Sequence, residues 1–143
     1  GSINDIAGMK RSNHNRDINR AVLARAEVER QLNSPDHLRS MIFNAYTRRL
    51  SIRRHESAFH PHAAQAVFDL DPRVFALRRT APDASNRQLF ALTNVSAASI
   101  DLDLSRYTST SSLYDLLSER HVTAKTSLGP YQSMWLVPTE QNG

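Results

Sequence analysis

Hydrophobic and polar positions divide the chain into three textures. Residues 1–20 are polar and aperiodic. Over residues 21–56 the apolar positions fall at helical spacing, and from residue 64 to 137 they come in short runs separated by Pro, Asp, Ser and Asn. Ala24 to Asn33 holds good helix formers with Val28 and Leu32 four apart, which predicts one helix. Ser34-Pro35-Asp36 then predicts the start of a second, with Ser34 as cap, Pro35 at the first position and Asp36 at the positive end. Leu38, Met41, Ile42, Ala45, Tyr46, Leu50 and Ile52 mostly follow a period of 3.6. The longest helix is expected there, from Pro35 to Glu56, ending before Pro61. The plain reading of its stripe is packing.

Beyond residue 63 the period shortens. Val67–Leu70 runs into Asp71-Pro72, a turn signal. Val74–Thr80, the polar Pro82–Asn86 stretch and Leu89–Val95 together predict a hairpin with a longer loop. Ile100-Asp101-Leu102-Asp103-Leu104 alternates strictly, so one face of that strand is buried and the other wet. Leu113–Leu117, a short piece near Leu128, and Ser133–Val137 complete the expected strands. No connection after residue 70 reads as a crossover helix, so antiparallel order follows. The pattern predicts an α+β architecture in which a helix pair is attached to a small antiparallel β-sandwich.

Length and composition narrow the classes. A chain of 143 residues suits one domain and can bury a core without staples. Cys is absent, which removes disulfides, thiolate catalysis and Cys-based metal sites. No run approaches the roughly 18 apolar residues of a membrane helix and no leader pattern opens the chain, so a cytoplasmic protein with no membrane partner is expected. Residues 1–60 carry 11 basic and 6 acidic groups, and 16 of the 18 basic residues are Arg. Arg48, Arg49, Arg53 and Arg54 cluster with Glu56 close by, but no aromatic platform alternates with them. A solvated helix face explains this cluster better than a nucleic-acid partner does.

The candidate chemistry is sparse. No nucleophile elbow, phosphate loop or dinucleotide fingerprint is present. His60-Pro61-His62 has no third ligand at convincing spacing, so no metal and no cofactor are assigned. Asp101 and Asp103 share a strand face roughly 7 Å apart, a carboxylate spacing that a solvated face fully explains. Tyr107, Tyr114 and Tyr131 are the aromatics to inspect for a binding face, with core or edge packing as their plain reading. The strongest polar cluster runs from Ser12 to Arg20, with only Ile18 apolar. Arg16 and Arg20 flank Asp17, and an Arg–carboxylate fork fixes geometry. Asp17 or Asn19 is expected to cap a helix beginning near Arg20.

Asn15-Arg16-Asp17-Ile18-Asn19-Arg20 resembles the Gly-Arg-Asp-Ile-Asn-Arg segment of sucrose phosphorylase-like enzymes, in glycoside hydrolase family 13 of the α-amylase superfamily. Gly1–Asp5, Leu50–Arg54 with Ala58–Pro61, Thr93–Ser96 and Pro130–Leu136 resemble further segments of that family in the same order. The resemblance implies a terminal fragment. Residues 1–62 would be the last active-site loop and terminal helices of a (β/α)8 barrel whose remainder lies upstream, and residues 63–143 a C-terminal antiparallel β domain. The catalytic carboxylates would also lie upstream, so no catalytic residue is assigned here and the isolated chain is expected to be inactive.

The same resemblance implies site roles and partners. Arg16 would hold a sugar hydroxyl at the glucosyl pocket, His14 would reach the acceptor side, and Asp17, Asn19 and Arg20 would support the loop. The partners implied are an α-glucoside and inorganic phosphate, with the helix from Pro35 to Glu56 meeting the barrel or a second copy. Asn15 stands where Gly is usual, which implies a left-handed backbone position. Ala21-Val22-Leu23 replaces the usual His and a nearby Tyr, which leaves the acceptor open among sucrose, phosphorylated sucrose, glucosylglycerol and glucosylglycerate. Hydrolysis or glucosyl transfer within the superfamily, and a non-catalytic carbohydrate- or protein-binding β module, stay open beside phosphorolysis.

Overall fold

The computed structural model describes residues 4–19 and 22–139. They fall into two compact units, Gly1–Thr47 and Arg48–Gly143.

The first unit is helical. It contains α1 (Ile6–Ser12), a 3-10 helix at Asn15–Asn19, α2 (Arg25–Leu32) and the first part of α3 (Leu38–His55). On α2, Arg25 bonds Glu29 one turn on, and Arg30 reaches back to Glu27, the spacing at which helix neighbours meet. The start of α3 differs from expectation. The Ser34 carbonyl accepts the His37 amide at 3.0 Å and closes a turn over Pro35 and Asp36. The cap is then His37, whose Nδ1 accepts the Arg39 amide at 3.2 Å. Buried Ser40 ties the two helices together, its hydroxyl donating to the Leu32 carbonyl at 2.9 Å. Most of the apolar stripe on α3 is exposed. Leu38, Met41, Ile42, Phe43, Tyr46 and Leu50 stay between 49% and 66% exposed.

The second unit holds two antiparallel sheets. The strands are β1 (Ala64–Phe68), β2 (Val74–Thr80), β3 (Gln88–Asn94), β4 (Ile100–Asp103), β5 (Ser112–Asp115), β6 (Arg120–Thr123), β7 (Lys125–Leu128) and β8 (Ser133–Pro138). Six form one sheet in the order β1-β2-β3-β8-β5-β6, and β4 pairs with β7 in the other. The expected hairpin is the β2–β3 pair, in register from Val74 opposite Asn94 to Thr80 opposite Gln88. One core serves both sheets: Ala76, Phe90, Leu92, Leu113 and Leu136 from the larger meet Ile100, Leu102 and Leu128 from the smaller. Each such Leu, Ile or Phe side chain, fully buried, contributes about 1.5–3 kcal/mol over its exposed state.

Because strand side chains alternate, the larger sheet has a second face. There Leu89 and Val137 receive Ala58, from the 3-10 turn Ser57–Phe59 that follows α3. Phe59 meets Trp135 edge-on at 4.7 Å, and the Arg53 guanidinium lies over the Phe59 ring. Arg79 clamps the turn, donating to the carbonyls of Ala58 at 2.8 Å and His60 at 2.9 Å. Glu56 does not offset the Arg cluster of α3, as its place in sequence suggested. Its buried carboxylate takes Arg87 Nε at 2.9 Å on both oxygens, while Arg48 pairs with Glu119.

Two buried polar residues fix the loops. Asn94 donates to the carbonyls of Ala98 and Gly129 and accepts the Ser96 amide and hydroxyl. Asp115 accepts the amides of Leu117, Ser118 and Trp135 and the Ser118 hydroxyl. Both sit at 1% exposure, where unmet hydrogen bonds are costly.

Candidate functional site

The polar loop singled out in the sequence is a compact turn closed on the start of α1. Asp5 caps that helix, its Oδ1 accepting the Gly8 amide at 2.7 Å. Gly8 allows the approach, since a Cβ there would lie 2.3 Å from Asp5 Oδ2. The helix ends on Asn13, left-handed at φ 58°, whose amide returns to the Met9 carbonyl at 2.9 Å. Asn15 sits inside the following 3-10 helix, so the left-handed position lies two residues before the one expected. The Asp17 amide bonds the His14 carbonyl, and the Asp5 amide bonds the Ile18 carbonyl at 2.6 Å, which shuts the loop.

This closure sorts the candidate side chains. Asp17 and Ile18 are half-buried, and Asp17 is partnered. His14, Asn15 and Arg16 are exposed. Among the described residues no hydrogen bond or ion pair holds the Arg16 guanidinium, so the expected fork with Asp17 is not made by Arg16. Asn19 ends the 3-10 helix, and Arg20 lies outside the described residues. The α-helix expected to begin near Arg20 falls outside the described residues. The next described one begins at Arg25, preceded by Ala24 with no side-chain cap. Among its described residues the loop therefore presents the Arg16 guanidinium and the His14 imidazole from a backbone held by internal bonds. Such a fork can hold sugar hydroxyls or a carboxylate.

The other candidates resolve as surface or packing features. Asp101 and Asp103 point outward from β4 while Ile100 and Leu102 face the core. Ser105 hydrogen bonds hold Asp103 below the usual carboxylate range, with Lys125 and Arg106 adding to the effect. That is opposite to what a general acid needs. His60 and His62 lie in a turn with rings 5.4 Å apart, and the His62 amide donates to His60 Nδ1. No group of three His, Asp or Glu able to hold a metal gathers among the described residues. Tyr107 stacks on Phe68 beside the core, Tyr114 meets His121 edge-on, and Tyr131 stands 69% exposed at φ 54°. Among the described residues no helix is long and apolar enough to cross a membrane.

The sequence reading missed Arg79, Arg87 and Asn94. Only Asn94 had a local signal, the polar residue closing an apolar run.

No family model matches the chain. Curated relatives do. A glucosylglycerate phosphorylase of Spirochaeta thermophila is 33% identical over 156 aligned positions, taking in the whole of this chain and 26% of the relative. The glucosylglycerate phosphorylase of Escherichia coli is 29% identical over 95% of this chain and 23% of its own length. One from Allomeiothermus silvanus is 37% identical over 47% of this chain. The chain thus spans about a quarter of the length of the first two. The correction to the first resemblance is one of specificity: the chain is homologous to a quarter-length stretch of glucosylglycerate phosphorylases, and sucrose phosphorylases are not singled out.

Proposed function

We propose that this chain is the C-terminal part of a retaining α-glucosyl phosphorylase, and that its α-glucoside is glucosylglycerate. The observation that carries the reading is the alignment of all 143 residues with about a quarter of a glucosylglycerate phosphorylase. In this reading residues 1–62 complete the active-site side of a barrel and residues 63–143 form a sandwich-like β domain behind it. The exposed stripe of α3 supports the assignment, because a half-exposed row of Met, Ile, Phe, Tyr and Leu is a surface that another body covers. The barrel is the proposed cover.

The chemistry needs two carboxylates that this chain does not supply. One attacks the anomeric carbon while the other protonates the departing glycerate oxygen, so the glycosidic C–O bond breaks as the carboxylate–carbon bond forms. A phosphate oxygen then displaces the carboxylate, giving glucose 1-phosphate with the original anomeric configuration. Arg16 is assigned to the glucosyl hydroxyls and His14 to the acceptor side. Asp17, Asn19 and Arg20 hold the loop. An acceptor bearing a carboxylate also suits a loop whose exposed groups include an Arg and a His.

The test is phosphorolysis by the longer enzyme that contains this stretch. Glucosylglycerate and sucrose are each incubated with inorganic phosphate, and glucose 1-phosphate is measured. The expected result is phosphate-dependent release from glucosylglycerate, much slower release from sucrose, and none from the 143-residue chain alone. Free glucose without glucose 1-phosphate identifies a hydrolase and overturns the proposal.

A further inference from the structure

A groove of about 950 Å3 opens on the second face of the six-stranded sheet, between the β2–β3 loop and the β4–β5 loop. Tyr114 and Val137 lie in its floor, Asn86, Arg87 and Gln88 on one wall, and Ser109 on the other. It shares no residue with the His14–Arg20 loop.

Arg87 decides which ligand chemistry fits. Its Nε is committed to both Glu56 oxygens at 2.9 Å, and that carboxylate is buried. The two terminal amino groups of the guanidinium have no partner among the described residues, and neither have the side-chain amides of Asn86 and Gln88. The groove thus offers a fixed donor fork whose charge is already compensated, beside two amides that both donate and accept. An anion gains little from a neutralised cation, whereas vicinal hydroxyls match this set. The Tyr114 ring, held edge-on to His121 at 5.0 Å, adds an aromatic surface suited to a sugar ring. The volume lies within the usual range for a small-ligand site.

We propose that this groove binds a neutral oligosaccharide, at a site separate from the glucosyl pocket assigned above. The proposal does not rest on the phosphorylase reading and holds whether or not the enzyme phosphorolyses glucosylglycerate.

The experiment is an amide-shift NMR titration of the 143-residue chain with maltotriose, and in parallel with inorganic phosphate. Saturable shifts are expected at residues 85–88 and 108–110, with a Kd of roughly 1–10 mM. Replacing Asn86 and Gln88 together by Asn86→Gly and Gln88→Ala should raise Kd about tenfold, the effect of losing one or two hydrogen bonds. Glycine suits position 86 because its φ is 47°. Asn86→Gly alone, in an exposed loop, repeats the test with a smaller rise should the double variant lose its native spectrum. The proposal is overturned by any of three results: no saturable shift up to about 50 mM maltotriose, tighter binding of phosphate at the same amides, or an unchanged Kd in the variants.

Discussion

Removing Arg87 should harm this protein more than neutralising the carboxylate it holds. Glu56 has a side chain only 6% exposed, while Arg87 is 44% exposed. In Arg87→Ala the carboxylate keeps the Ala58 amide at 3.2 Å and loses its cation. Breaking a buried pair from the side that leaves a buried charge costs about 3–5 kcal/mol, and partial solvent access on the Arg side places this one near the lower figure, about 3 kcal/mol. In Glu56→Gln the amide bond to Ala58 survives and the half-exposed guanidinium turns to water, so the cost is about 1–1.5 kcal/mol. Glu56 sits between α3 and the turn that packs Ala58 on Leu89, so the loss is felt in the β unit. Thermal melts followed by near-ultraviolet absorption of Trp135 read it out. About 3 kcal/mol corresponds to a fall in Tm of roughly 10–15 °C for a domain of this size. A melt within about 2 °C of the unmodified chain, or a larger fall for Glu56→Gln than for Arg87→Ala, would refute the reasoning.

Two other expectations follow from single contacts. Asp71 is held at a pKa of about 2, below its ordinary 3.8, first by the Arg73 side chain and then by the Arg73 amide. Its contribution is complete above about 3.8 and fades as pH falls through about 2; a carboxyl-carbon titration should show the low midpoint, with a partial return in Arg73→Gln, and an ordinary midpoint in the unmodified chain contradicts it. Asn94→Asp should cost at least about 3 kcal/mol, because the carbonyls of Ala98 and Gly129 would face a buried carboxylate with no donor between them; urea unfolding within about 1 kcal/mol of the unmodified chain counts against that assignment.

The parts of this fold that could be read in advance are those where side-chain pattern and backbone agree. Val74–Thr80 and Leu89–Asn94 alternate between core and second face, and both are strands of the larger sheet. Helix α3 was legible from its period, but its onset was not, because the His37 ring takes the cap that Ser34 was expected to provide. Helix α1 is short and buries no residue. Its signals were local, Asp5 ahead of it and Asn13 after it, and the aperiodic texture of residues 1–20 hid them. Strand β6 carries one apolar residue, Val122, and is placed by pairing with β5 at the sheet edge. Glu56 and Arg87 lie 31 residues apart and meet only through the sheet topology, which composition does not reveal. At the candidate site the run of polar residues marked the loop, yet nothing in it announced that the Ile18 carbonyl would close on Asp5.

The central claim is that this stretch lends a sugar-holding loop to an α-glucosyl phosphorylase, and Arg16 tests it most directly. In the longer enzyme, kcat/KM for the glucosyl donor is measured for Arg16→Ala and Arg20→Ala beside a thermal melt of each. Loss of a charged hydrogen-bonded contact to substrate costs about 2–5 kcal/mol, roughly 30-fold to several thousand-fold in kcat/KM. The account expects that loss for Arg16→Ala with Tm unchanged, in keeping with a guanidinium that no described residue holds. Arg20→Ala is expected to lower Tm instead. An unchanged kcat/KM for Arg16→Ala, or equal losses of activity and Tm in both variants, would contradict the claim.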